Sequence, residues 1–445
     1  RTSLLVKMKG GALALALALS VGAALRFMPR VSLPSHYLGN QCVHTENLLT
    51  PEQGDRLMAL TKKVGSSTGF SANVQAATYD GIKHESIGED QPMTPEGGCE
   101  HSLLVPNRAR TACILPGRVD VARHFLMTGG VDGLKENYAD MVSRLLTFGK
   151  FVYDIDGEFT IMRELFEAEA FQTAAKDICP PHQRTLDPLQ FNVIINLPGQ
   201  SVALHIDSVH FWGANRFSYP EWLLAAMSFS GLWADRFVHQ VQTVAYYHRW
   251  EDPPNGTYSS GGQYVFYDEN KAPHAHPPTP LGAISLDGTK VVHASTIYKK
   301  EEKLPVGLNK DLPIRILWDE EAELWHLECG GQRLRSYTMN DLRLSIVYRA
   351  RCFENEEKRQ EFHALTDADR IPLDDILARF RDDLLARGVL SAKDVAEDDR
   401  LKLAFAILKT YIKYPLPPDV LVPYNYCAAS KLFPALTPLT SILGC

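Results

Sequence analysis

The chain has 445 residues, 45% of them apolar and 22% charged, a mixture that builds a globular core and excludes wholesale disorder. Its formal net charge of −7 excludes an electrostatic nucleic-acid binder, which sets clustered Lys and Arg against phosphate; no basic stripe interleaved with aromatics occurs. Eight cysteines (Cys42, Cys99, Cys113, Cys179, Cys329, Cys352, Cys427 and Cys445) include no C-x-x-C pair, against a zinc ribbon or dithiol redox site, and their even number permits disulfides.

In chain order, Arg1, Lys7 and Lys9 precede an apolar run from Gly10 to Leu25. A basic start before such a run reads as a secretory signal, and residues 1–30 are assigned to it, either cleaved near Gly22–Ala24 or kept as a signal-anchor. The run is short for a membrane span, which takes about 20 residues. Anchoring through residues 10–25, a buried apolar helix and a bipartite organelle leader stay open beside it. The secretory pathway is the expected location, and the sequon Asn255-Gly256-Thr257 in a Pro/Gly/Ser-rich stretch agrees with it.

Residues 31–185 read as a mainly helical region. Thr50-Pro51-Glu52 is a helix start, a cap residue followed by Pro at the first helical position. Gly133 to Phe151 and Phe159 to Ile178 repeat apolar residues every three or four, which predicts helix, and Ser71 to Gly98 reads as a long polar loop. From Leu189 the texture changes to short β-rich runs bounded by Gly, Pro, Asn or Asp: QFNVIINL, VQTVAYY, GGQYVFYD, LGAISL, KVVHAS and DLRLSIVYRARCF. ILWDEEAELWHLE reads as a hairpin inserted between the last two. The fold class predicted is α+β, with a β core at 186–355 built as a double-stranded β-helix of jelly-roll or cupin type. N-terminal helices flank it, as do C-terminal helices in 356–445, over Leu373 to Ala386 and Asp399 to Tyr414.

Two imidazoles and one carboxylate on one side of a metal, with the other positions open, form the ligand set of non-haem iron oxygenases. With 15 His and 53 acidic residues in this chain, about two H-x-D/E pairs are expected by chance. Three occur, at His44-x-Glu46, His205-x-Asp207 and His326-x-Glu328. The first falls in a loop, and the last falls on the inserted hairpin, where alternation predicts an exposed pair. His205 alone follows a strand and a Pro198-Gly199 turn at the start of the β series. Residues i and i+2 of an extended chain point the same way, so His205 and Asp207 can share an ion. His293, in a later strand, is the candidate third ligand. A cosubstrate carboxylate needs a buried cation, and Arg343 on the last strand, alternating with Ser345, is the best candidate. Lys299, Lys300 and Arg315 compete with it, while Arg349 and Arg351 read as surface arginines.

These pieces, from HID at His205 through TVAYY, GGQYVF, PLG and VVH to RLS at Arg343, resemble in order the prolyl 4-hydroxylase-like group of 2-oxoglutarate/Fe(II) dioxygenases. The resemblance covers about residues 190 to 352 and none of the flanking helices. It implies Fe(II) on His205, Asp207 and His293, and 2-oxoglutarate on Arg343 and Ser345, with Asn192 or Tyr247 assisting. O2 is then the second cosubstrate and ascorbate a possible reductant. The implied activity is oxidation, by default hydroxylation, of an unactivated C–H of a peptidyl side chain or small molecule, with release of succinate and CO2. His210, Trp212 and Arg216, in the aromatic-rich stretch after Asp207, are candidate substrate contacts; packing under a long loop is the alternative. His274 and His276 in PHAHPP read as a solvated turn. Two rival readings are a β-helix interaction protein without catalysis, and a serine hydrolase using Ser67 in the literal G-x-S-x-G at Gly65–Gly69, which lacks the strand required before the nucleophile.

Overall fold

The structure, a computed structural model, describes residues 33–438 apart from 75–85, 108, 134, 137, 153–156, 250–260, 268–272, 303–306, 310–311, 417–424 and 433. The apolar leader, the sequon at Asn255 and Cys445 lie outside the described residues. Among those described, no helix is long and apolar enough to cross a membrane.

Among the described residues, fourteen strands form the two larger antiparallel sheets. In chain order they are β1 (Cys42–Thr45), β2 (Phe70–Val74), β3 (Leu146–Val152), β4 (Thr185–Asn196), β5 (Val202–His205), β6 (Gln240–Tyr246) and β7 (Tyr264–Tyr267). They continue with β8 (Pro273–His276), β9 (Ala283–Leu286), β10 (His293–Ser295), β11 (Ile314–Asp319), β12 (Leu324–Cys329), β13 (Gln332–Tyr337) and β14 (Arg343–Phe353). The large sheet runs β1-β9-β6-β14-β4-β3-β2-β11-β12-β13 and the small one β8-β7-β10-β5. From β4 onward the chain alternates between them: β4 large, β5 small, β6 large, β7 and β8 small, β9 large, β10 small, β14 large. Inward residues of both sheets, among them Val244, Tyr246, Tyr264, Phe266, Ile284 and Val347, form one buried apolar cluster.

The region 31–185 holds more helix than strand among its described residues, and it also supplies β1, β2 and β3 to the large sheet. Within Gly133 to Phe151 only α3 is helical (α1 is Pro51–Ser67, α2 Val119–Thr128, α3 Tyr138–Arg144). The chain then enters β3, where pairing with β2 and β4 accompanies burial of Leu146 and Phe148, so tertiary pairing overrides the local apolar spacing. Phe159 to Ile178 is helical but split into α4 (Thr160–Glu167) and α5 (Glu169–Ile178), which break at Ala168. From α4 and α5, Phe166 and Phe171 meet Tyr348 of β14 on the outer face of the large sheet. At α1 the Thr50 side chain accepts from Gln53 N and the Gln53 side chain accepts from Thr50 N, a complete capping box.

The expected hairpin is present as β11 and β12, and a third strand, β13, extends it. β11 joins the large sheet through β2, far from β14, which keeps its place between β6 and β4. His326 on β12 is 4% exposed, on the side opposite Trp325 and Leu327, and bonds Ser336 of β13 and Asp319 of β11. The C-terminal region adds α7 (Glu356–His363), which packs on β14 and β4, α8 (Leu373–Ala386), α9 (Ala392–Glu397) and α10 (Arg400–Tyr411), which packs against α8 and against α6 (Glu221–Ser230).

Candidate metal centre

β5 ends at His205 and β10 begins at His293, and antiparallel pairing puts these two residues directly opposite each other. Opposed side chains on one sheet face stand close enough to touch. Their rings lie 4.3 Å apart between centroids. Two residues on, Asp207 is hooked to the turn before β10, its N–H donating to the Gly288 carbonyl at 2.8 Å. His205 Nε2 and His293 Nε2 come 3.7 and 4.0 Å from Asp207 Oδ1. Among the described residues this is the one group of three such side chains whose ligand atoms lie within 4.8 Å of one another.

Tautomers are fixed by the local backbone. In each ring Nδ1 faces a carbonyl two residues earlier, Ala203 at 2.7 Å and Val291 at 2.8 Å. A carbonyl only accepts, so each Nδ1 carries the proton and each Nε2 offers a lone pair. Burial, with His205 adding to it, pushes His293 down to about 3, which keeps it neutral. Burial alone drives the Asp207 carboxyl upward, but the Arg349 guanidinium beside it overrides this and holds it well below the usual carboxylate range. Asp207 Oδ2 is buried without a hydrogen-bond partner. A Cβ on Gly288 would meet that oxygen at 2.0 Å, so only glycine admits the carboxylate here. Two neutral imidazoles and one anionic oxygen fit a divalent iron ion and leave coordination positions open.

One pocket joins this cluster to β14. His205, Gln242, Tyr264, His293, Arg343 and Ser345 contribute to its wall, as does Arg349, with Val202, Val244 and Val347 as apolar lining. Arg343 is 4% exposed. Its Nη1 donates to Asn196 Oδ1 at 2.7 Å and its Nη2 to Tyr246 Oη at 3.2 Å, while Nε has no partner. No carboxylate among the described residues pairs with it, so the pocket holds a buried cation with room for an anion. The competing cations are elsewhere: Lys299 pairs with Asp341 and Arg315 with Glu328, and neither they nor Lys300 line the pocket.

The loop that carries Asp207 is anchored from outside the sheets. Arg118, at the start of α2, donates to the Ile206 carbonyl and to Glu221 of α6, and Ser208 donates to the same Glu221. Tyr414 Oη donates to Asp120, which also pairs with Arg118, so the segment after α10 reaches the same network.

No protein-family model matches the sequence, and no curated protein matches it. Solved structures do. The chain is similar to a prolyl hydroxylase from Trichoplax adhaerens, in complex with a hypoxia inducible factor peptide, at 8% identity over 74% of this chain and 89% of that one, TM-score 0.33. It is similar to a prolyl-4-hydroxylase from Pseudomonas putida at 10% identity, 70% and 93% coverage and TM-score 0.28. It is similar also to a viral collagen prolyl hydroxylase from Paramecium bursaria Chlorella virus-1, in a 2-oxoglutarate complex, at 9% identity, 70% and 97% coverage and TM-score 0.27. At TM-scores this low nothing is taken from the likeness, and both fold and chemistry are read from the chain's own strands and pocket.

Not every candidate reaches that pocket. Tyr247 points away from it and bonds Thr61 at 2.8 Å; strand alternation gives the inward position to Tyr246 instead. Asn192 lies on the inner side of β4 opposite Val347, buried with Oδ1 unpartnered, but Asn196 is the residue that holds Arg343. Trp212 packs edge-on against Phe353 and Phe362, a satellite cluster beyond the end of β14. His210 is buried and held down to about 3 by burial, with Arg351 and Arg216 adding to it. Arg216 donates to Gln190 at 2.7 Å, and neither it nor His210 lines the pocket. Arg349 and Arg351 are not surface residues. Arg349 pairs with Asp207, and Arg351 pairs with buried Asp187 at 2.6 Å. The sequence reading missed Gln242, Asn196 and Tyr246 and set Arg349 aside as a surface residue, although Arg349 shares strand parity with Arg343 and Ser345. His274 and His276 form exposed edge strand β8, not a turn. Ser67 ends α1 with its hydroxyl donating to the Val64 carbonyl, and a helix precedes it where a nucleophile elbow needs a strand.

Proposed function

We propose that this chain is an Fe(II)- and 2-oxoglutarate-dependent oxygenase that hydroxylates an unactivated C–H of a peptidyl side chain or small molecule. The observation that carries it is one pocket lined by His205 and His293 of the His205–Asp207–His293 cluster and by a buried arginine, Arg343, without a carboxylate partner. The alternation of strands between two facing sheets supports a double-stranded β-helix as the scaffold.

In this reading His205 and His293 present Nε2, and Asp207 an oxygen, to the iron. Arg343, steadied by Asn196 and Tyr246 and flanked by Ser345, takes the far carboxylate of 2-oxoglutarate through paired N–H donors. Val202, Val244 and Val347 keep the reacting space apolar, which strengthens these charge contacts. Iron and 2-oxoglutarate, when bound, would activate O2, the oxidant, with 2-oxoglutarate giving up two electrons as it becomes succinate and CO2 and the C–H substrate giving the other two, and with ascorbate as a candidate reductant. The disulfides Cys99–Cys113 and Cys179–Cys352 support an oxidising, secretory-pathway location.

The test is anaerobic addition of Fe(II) and 2-oxoglutarate to wild type and His205→Ala. The expected result is a visible metal-to-ligand charge-transfer band in wild type alone, and succinate on admitting air. A wild-type protein with neither band nor succinate overturns the reading.

A further inference from the structure

Arg349 is more than the ligand set requires. Its Nη2 donates to Asp207 Oδ1 at 2.5 Å and its Nε to Gln242 Oε1 at 2.7 Å. Gln242 in turn places Nε2 3.3 Å from His293 Nε2. Two of the three atoms that face a metal are thus already held by protein donors. Arg343 and Arg349 both line the pocket, no carboxylate among the described residues does, and Asp207 stands beside it paired with Arg349. Two guanidinium groups against one carboxylate leave the pocket net positive before any ion arrives. A dication entering alone meets like charge and must share Asp207 Oδ1 with Arg349, at an apolar wall where screening is weak. A dicarboxylate entering with it reverses that imbalance.

Resting on the oxygenase reading above, we propose that Arg349 makes the affinity for metal contingent on the dicarboxylate, so that the two load as a coupled pair. The guanidinium suppresses divalent-ion binding to the pocket alone and is turned to advantage once the cosubstrate's negative charge is present. Linkage requires the reverse as well: metal raises the affinity for 2-oxoglutarate by the same factor.

The measurement is Mn(II) binding to the full chain, followed by loss of the free-ion paramagnetic resonance signal, with and without saturating 2-oxoglutarate. Wild type is expected to bind Mn(II) at least about tenfold more tightly when 2-oxoglutarate is present. Arg349→Gln is expected to bind Mn(II) about tenfold more tightly than wild type in its absence, and to gain less from its addition. Arg349→Lys keeps the charge and is expected to keep the coupling, with melting curves on the same samples reporting folding. If Arg349→Gln binds Mn(II) more weakly than wild type, Arg349 is only a strut for Asp207 and the proposal falls. If wild type binds no more Mn(II) than His205→Ala under any condition, the oxygenase reading itself fails.

Discussion

Arg343 and Gly288 show how much of the site rests on individual side chains. Arg343 opens β14 and is steadied by Asn196, its register partner on β4. Replacing it with Gln removes the charge but leaves the metal ligands untouched. Arg343→Gln is expected to weaken 2-oxoglutarate binding by about a hundredfold with Mn(II) binding retained, as read by calorimetry; equal affinity would reassign the cosubstrate cation. Gly288→Ala sets a methyl group 2.0 Å from Asp207 Oδ2, while Arg349 holds the other oxygen in place. The carboxylate must swing out, so this variant is expected to lose Mn(II) binding, measured by titration, while a melting curve reports the fold. The triad was legible because His205 follows a strand and a turn, a context its two rival pairs lack. Arg349 was not, since a charged residue on a strand ordinarily faces water, and nothing local shows that the opposing face carries Asp207. Tyr247 was chosen over Tyr246 for a related reason: neighbouring tyrosines differ only in parity, and a slip of one residue exchanges the faces.

Elements were readable where one period dominates. Leu373–Ala386 forms the helix its spacing predicts, with Ile376, Leu377, Phe380 and Leu384 buried on one side. β3 was hidden because its apolar residues continue the spacing of the preceding helix, and only pairing with β4 identifies it as strand. The β11–β13 insertion explains the long interval between His293 and Arg343: it extends the far edge of the large sheet and leaves the pocket strands adjacent. Its docking to α1 depends on a close approach, with Trp325 atoms 2.6 Å from where a Cβ of Gly65 would stand. Gly65→Ala forces that ring aside in a buried contact and is expected to destabilise the protein by about 1–3 kcal/mol in chemical denaturation. Mn(II) affinity should be unchanged, because the insertion touches no metal ligand. A matched loss of metal binding would mean that the edge of the sheet is coupled to the site.

For the whole molecule, acid is the informative stress. Burial pushes His124, His210 and His248 down to about 3 from an ordinary 6.5, so the native state refuses protons that the unfolded chain accepts. Stability is then complete above pH 6.5 and declines as pH falls from there toward 3. Denaturation midpoints are expected to drop between about pH 7 and pH 5; an unchanged midpoint would mean these imidazoles protonate without unfolding. The facing of His205 and His293 across one rung of the small sheet has a mechanical side as well. An ion held by both is a removable rivet between strands far apart in the chain, and it can be driven only when β5 and β10 are in register. Loading should therefore slow amide hydrogen exchange in these two strands far more than in β11–β13, with the empty protein breathing first where the rivet is missing.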